Sequence, residues 1–123
     1  LNLSNVVLLP GFIENPYSVI SKMNIFISSS VFEGVSNAML ESLALGLPVL
    51  ATDCPSGVRE VISNNENGWL VKTDGNIVNN LSDTMIHAIK HHMKMDMKTE
   101  KDKIHKQHSI SYIMQEYNKI FLS

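Results

Sequence analysis

The sequence has 123 residues, 44% of them apolar and 18% charged, with a mean hydropathy near zero. That composition supplies one core, burying roughly two-thirds of the unfolded chain's surface, and excludes low-complexity disorder. The longest uncharged apolar stretch, residues 43–51, is too short to span a bilayer and contains Gly46 and Pro48.

Charge is uneven. Residues 1–86 hold three basic and eight acidic side chains, whereas residues 87–108 hold six Lys, three acidic groups and all five His. No basic stripe lies in the first 86 residues, so nucleic acid is not an expected partner. The single cysteine, Cys54, excludes a disulfide framework and fits a reducing, cytoplasmic setting. The chain opens on Leu1 without a secretory signal, and the expectation is a fragment or excised domain.

Strand and helix alternate along the chain. Val6-Val7-Leu8-Leu9 is a continuous apolar run ended by Pro10-Gly11, which predicts a strand buried on both faces. Asn15-Pro16 predicts a capped helix to about residue 22. Ile25-Phe26-Ile27 reads as a second strand, running into Ser28-Ser29-Ser30. Ser36 is placed to cap a helix over residues 37–45, which Gly46 closes. Residues 48–51 form a third strand, followed by the loop Thr52-Asp53-Cys54-Pro55-Ser56-Gly57 and a short helix over residues 58–62.

Asn67-Gly68 turns into a small strand, Trp69-Leu70-Val71. Residues 76–94 are predicted helical, with Ile77, Leu81, Met85 and Ile89 on one face. A Lys-rich, solvated stretch and a last helix over residues 111–121 complete a helical tail from about residue 95 to 123. Short apolar strands alternating with helices imply crossover connections. The fold class is therefore α/β, a doubly wound, Rossmann-like parallel sheet in a single domain.

Ligands of such sheets bind beyond the carboxyl ends of the strands, near helix N-termini. The segment after the second strand, from Val31 to Glu41, sits there. Its helix start offers unpaired N–H groups and a positive dipole end suited to phosphate, and Gly34 permits close backbone approach. Asn37 and Glu41 share one helix face, with Met39 and Leu43 on the other. Glu41 lies about 6 Å along the axis from the helix start, near the pyrophosphate-to-ribose separation of a nucleotide. Local physics leaves a plainer assignment open: Glu41 simply favoured near a helix start, Glu33 as a turn residue and Ser36 as a cap alone.

Glu33-Gly34 and Glu41, two glutamates with seven residues between them, resemble the signature of retaining GT-B glycosyltransferases of family 4. Leu8-Leu9-Pro10-Gly11-Phe12, the run from Leu43 to Asp53, and Asn67-Gly68-Trp69-Leu70-Val71 resemble further segments of that family, in order. The resemblance covers residues 6–74 closely and implies a partial C-terminal domain of a GT-B fold. Glu33 would then lie beside the donor sugar as the catalytic carboxylate. Gly34, Val35, Ser36 and Asn37 would present N–H groups to sugar and diphosphate, with Leu40 alongside. Glu41 would hold the ribose hydroxyls, and Phe12 and Ile13 would border the base. Arg59 is the candidate phosphate contact, weighed against an ordinary surface ion pair.

The implied activity is transfer of a sugar from a nucleoside-diphosphate sugar, UDP-linked, to an acceptor hydroxyl with retention, in bacterial polysaccharide or glycoconjugate synthesis. The implied partners are that donor and an N-terminal acceptor domain of the same protein, with peripheral contact at the inner membrane face. No cofactor and no metal are expected. Two alternatives are a GT-B-fold nucleotide-sugar epimerase and a non-catalytic nucleotide-binding α/β module. Asp83, His87 and His91 share a helix face with metal-ligand spacing, but a solvated helix face is the preferred assignment. Cys54 reads as a small semi-buried thiol and not a nucleophile.

Overall fold

The computed structural model describes residues 3–55 and 57–121; Ser56, named above, and the side chain of Phe121, at the end of the predicted last helix, lie outside the described residues. The elements in order are α1 (Tyr17–Ile20), β1 (Phe26–Ser28), α2 (Asn37–Ala44), β2 (Val49–Thr52), α3 (Val58–Val61), β3 (Gly68–Val71) and α4 (Ile77–His91). A 3₁₀ turn (His92–Lys94) leads to α5 (Met97–Gln107) and α6 (Ile110–Phe121). The three strands form one parallel sheet in the order β1-β2-β3, with Phe26 opposite Val49 and Val49 opposite Gly68.

The central strand explains the layering. All four residues of β2 are buried, and alternation sends them to opposite faces. Val49 and Ala51 pack with Met39 and Leu43 of α2, Val58 of α3 and Ile104 of α5. Leu50 faces the other way, packing with Trp69, Val71 and Ala88 of α4. Helices thus cover both faces of a parallel sheet, which is the α/β architecture the alternation predicts.

Gly68 sits where β2 and β3 come closest. A Cβ there would stand 2.0 Å from the Val49 carbonyl oxygen, so no other residue fits without moving the strand. Asn67, just before it, is buried and fully used. Its carboxamide oxygen accepts from Ser63 N–H at 2.9 Å, and its Nδ2 donates to the Val61 carbonyl at 3.0 Å and to Glu100 Oε2 at 3.2 Å. One side chain therefore ties α3, β3 and α5 together.

Five expectations need correction. Residues 6–9 form no strand: Leu8 and Leu9 are 84% and 92% exposed, and β1 pairs only with β2 among the described residues. An apolar run becomes a strand only when a neighbouring strand pairs with its N–H and C=O groups; here the Val6 and Val7 N–H groups donate back to the Leu3 carbonyl instead. On α4, Ile89 is exposed and Ala88 is buried instead. Steps of four residues overshoot a 3.6-residue turn, so the stripe drifts and the core contact passes to Ala88.

The Lys-rich stretch is not merely a solvated face. Met97–Gln107 is a helix that buries Ile104 against α2, and His105 Nε2 lies 2.9 Å from the Ala44 carbonyl. Asp96 caps this helix, accepting from Thr99 N–H at 3.2 Å. Ser36 holds the cap position of α2 with extended backbone, but its side chain makes no cap bond. The Cys54 thiol is buried rather than half-buried, because it packs under the loop that follows β1.

Candidate functional site

The C-terminal ends of β1 and β2 carry two loops that lock onto each other. Ser28 ends β1 and pairs with Ala51 of β2, so its backbone is fixed by the sheet. Thr52, the last residue of β2, donates its hydroxyl to the Ser30 carbonyl. Two residues on, the Cys54 thiol lies 3.8 Å from the Glu33 carbonyl oxygen as donor. Gly57 then approaches Gly34 and Val35 so closely that a Cβ would stand 2.6 Å from Val35 N. Its φ of +73° also favours glycine. Contacts from the end of β2 and the segment after it thus hold the loop carrying Glu33.

Glu33 itself is half-buried and sits among hydroxyls. Ser28 donates to its Oε2 at 3.2 Å, and the same hydroxyl lies 3.5 Å from Ser30 Oγ. Hydrogen bonds from Ser30 and Ser36, with a lesser one from Ser28, hold the Glu33 carboxyl below the usual carboxylate range against the opposing effect of desolvation. Ser36 therefore serves the carboxylate and not the helix end. The arrangement makes Glu33 a fixed anion, suited to accept from a hydroxyl and unsuited to donate a proton near neutral pH.

From this loop the chain enters α2. Its first backbone bond runs from Leu40 N–H to the Ser36 carbonyl at 3.1 Å, so the first-turn N–H groups point out of the helix end. Met39 and Leu43 are fully buried, which fixes the rotation of the helix and sets Asn37 on the outside. Glu41 is half-buried in an open groove of about 380 Å³ with Leu40, Ala44, His105 and His108. Gly34 and Val35 are exposed beside the helix start.

Other named residues stand apart. Phe12 is 93% exposed and Ile13 half-buried on the segment before α1. Arg59 donates Nε and Nη2 to Asp53 at 2.7 and 2.6 Å, a two-point ion pair at the rim of a second groove of about 380 Å³. That pairing holds the Asp53 carboxyl below its usual range. His87 and His91 stack with ring centres 4.1 Å apart, and among the described residues no three metal-binding side chains converge. No helix among the described residues is long and apolar enough to cross a membrane.

The cradle of Ser28 and Ser30 was not read from sequence. The signal was present: serines two apart at a strand end point to the same side, three residues before an acidic group. Nothing in the sequence pointed to the Cys54 or Gly57 contacts, which join segments about twenty residues apart.

The chain resembles known proteins in sequence and in fold. An N-acetylgalactosamine-N,N'-diacetylbacillosaminyl-diphospho-undecaprenol 4-alpha-N-acetylgalactosaminyltransferase of Campylobacter jejuni is 49% identical over 74 residues, 60% of this chain and 20% of that protein. A poly(glycerol-phosphate) alpha-glucosyltransferase of Bacillus subtilis is 36% identical over 70 residues, 57% of this chain and 10% of that protein. The chain thus spans a fifth or less of the length of these relatives.

Among solved structures, TarM superposes with a TM-score of 0.74 at 23% identity, covering 92% of this chain and 23% of that one. Anabaena Alr3699/HepE, in complex with UDP, superposes with a TM-score of 0.69 at 15% identity, covering 83% and 28%. These likenesses establish the fold, that of GT-B glycosyltransferases. The family model described as "Glycosyl transferases group 1" matches residues 1–91, and the chain belongs to that family.

Proposed function

We propose that this chain is the donor-binding part of a glycosyltransferase that moves a sugar from a nucleoside-diphosphate sugar to an acceptor hydroxyl. The observation that carries the reading is the placement of Glu33, a carboxylate kept ionised by hydroxyls, one short loop before the N-terminus of α2. The diphosphate lies at that helix end, where first-turn N–H groups and the helix dipole favour negative charge. Gly34, Val35, Ser36 and Asn37 flank it, with Leu40 on the next turn. Glu33 accepts from a hydroxyl of the donor sugar, and Glu41 takes the ribose hydroxyls one turn further along α2.

The donor is UDP-linked in this reading, supported by the UDP complex of a structural neighbour. The transfer retains anomeric configuration and serves bacterial polysaccharide or glycoconjugate synthesis. Support for that setting comes from relatives whose names specify lipid-linked and polymeric acceptors. The rest of the enzyme is an acceptor domain facing the carboxyl ends of the strands. Phe12 and Ile13 border the base. Arg59, already held by Asp53, contributes little to the diphosphate. The reaction needs no metal, and the protein works in the cytoplasm at the inner membrane face.

The test is calorimetric titration of the full-length protein with UDP and UDP-sugars, followed by product analysis by NMR. Saturable donor binding and a product of unchanged anomeric configuration support the assignment. Absence of nucleotide binding by the intact protein overturns it.

A further inference from the structure

Ser28 is an uncommon residue for its place. It ends an edge strand whose other two positions are Phe26 and Ile27, and its neighbour across the ladder is Ala51. Backbone pairing alone requires no hydroxyl there. The side chain instead reaches five residues along the chain, to Glu33 Oε2 at 3.2 Å. The Glu33 carbonyl is meanwhile held by the Cys54 thiol from the loop after β2, and the Ser30 carbonyl by Thr52 at the end of β2. The loop is thus held from β2 and the segment after it, and the Glu33 side chain from β1.

We propose that Ser28 is a positioning residue for Glu33, its hydroxyl aiming the carboxylate at the donor sugar from a point set by the sheet. The inference deepens the donor-binding reading and rests on it for the word donor, but the Ser28–Glu33 link stands on geometry alone. An O–H donated to a carboxylate is a charge-assisted bond, stronger than a neutral one and more demanding in direction. Ser28 sits on a paired strand, whereas Ser30 lies on the loop after β1 and Ser36 at the start of α2. Of the three hydroxyls, only that of Ser28 is set by the sheet's own ladder. Asp53 of the loop after β2 and Arg59 of α3 are engaged with each other.

Two measurements on the full-length protein test this. The first follows the Glu33 carboxyl carbon by NMR from pH 2 to 7, assigned by its loss in Glu33→Gln. Ser28→Ala raises the titration midpoint and Ser28→Thr restores it. A midpoint in Ser28→Ala equal to that of the parent protein overturns the proposal. Should Ser28→Ala fail to fold, Ser28→Cys, close in shape but a weak donor, is read in the same way.

The second measurement is steady-state kinetics with the donor. Ser28→Ala lowers kcat by about tenfold with little change in donor KM, and Ser28→Thr recovers it. A shifted carboxyl midpoint with unchanged kinetics keeps the Ser28–Glu33 link and overturns the placement of Glu33 at the sugar. The two failures are therefore distinguishable.

Discussion

Glu33 and Glu41 are both carboxylates at one end of one helix, yet their surroundings separate them. Glu33 is bound by three seryl hydroxyls, and Glu41 lies in an open groove against the start of the α5–α6 junction. A ribose contact is the same in ground and transition states, so Glu41→Ala raises donor KM about tenfold or more and leaves kcat nearly unchanged. A contact with the reacting sugar strengthens as charge develops, so Glu33→Gln lowers kcat more than it raises KM. Steady-state kinetics on the two variants checks the split, and a KM effect in both would remove the distinction. Acid stability follows from the same hydroxyls. Glu33 and Asp53 have folded-state values below their ordinary ones. What they contribute is therefore complete only above about pH 5, beyond the unfolded values, and is lost as pH falls through the folded values. Urea midpoints between pH 2.5 and 6 should decline at the acid end, less steeply in Glu33→Gln.

At the scale of elements, α5 is held by buried Ile104, by Met97 packed against the same core, and by a few polar links. Ile104 fills the space between α2 and the sheet, so Ile104→Ala should cost about 2–5 kcal/mol, read by denaturant unfolding. A loss within 0.5 kcal/mol would mean that α5 is not part of the core. This element also shows what sequence conveys and what it does not. Strands Val49–Thr52 and Gly68–Val71 were legible because two-sided burial leaves apolar runs, and Phe26–Ser28, less buried, from its short apolar run alone. Residues 6–9 carry the same pattern without a partner, since composition states what a strand needs and not where its neighbour is. Ile104 among lysines gives no periodic signal, so the helical tail from about residue 95 was legible but the packing of α5 on the core was not. At the site, α2 and its buried Met39–Leu43 side were legible from spacing. The serine cradle was not, because serines after a strand look the same whether they turn the chain or bind a carboxylate.

The molecule as a whole exposes 8886 Å², whereas a compact monomer of 13.7 kDa exposes about 6600 Å². The excess of about 2300 Å² is more than the ~800 Å² that each partner contributes to a standard specific interface. Much of it is apolar and falls in two places. One is the segment Val6 to Phe12, with Leu8, Leu9 and Phe12 almost wholly exposed. The other is α6, whose Ile110, Ile113, Met114, Tyr117 and Ile120 are all exposed although the helix has the apolar stripe of a packed one. Open edges add to this, because β1 offers unpaired backbone groups on its outer side among the described residues. Surface of this kind is ordinarily covered. The 123 residues expressed alone should therefore be marginally stable, self-associate with rising concentration, and bind UDP feebly. Sedimentation velocity from 5 to 200 μM, with UDP titration at the lowest concentration, measures all of this. Replacing Leu8, Leu9 and Phe12 by Ser should shift the population toward monomer without loss of helix signal in circular dichroism. A monodisperse parent monomer binding UDP at low micromolar affinity would show that the exposed surface has no need of cover.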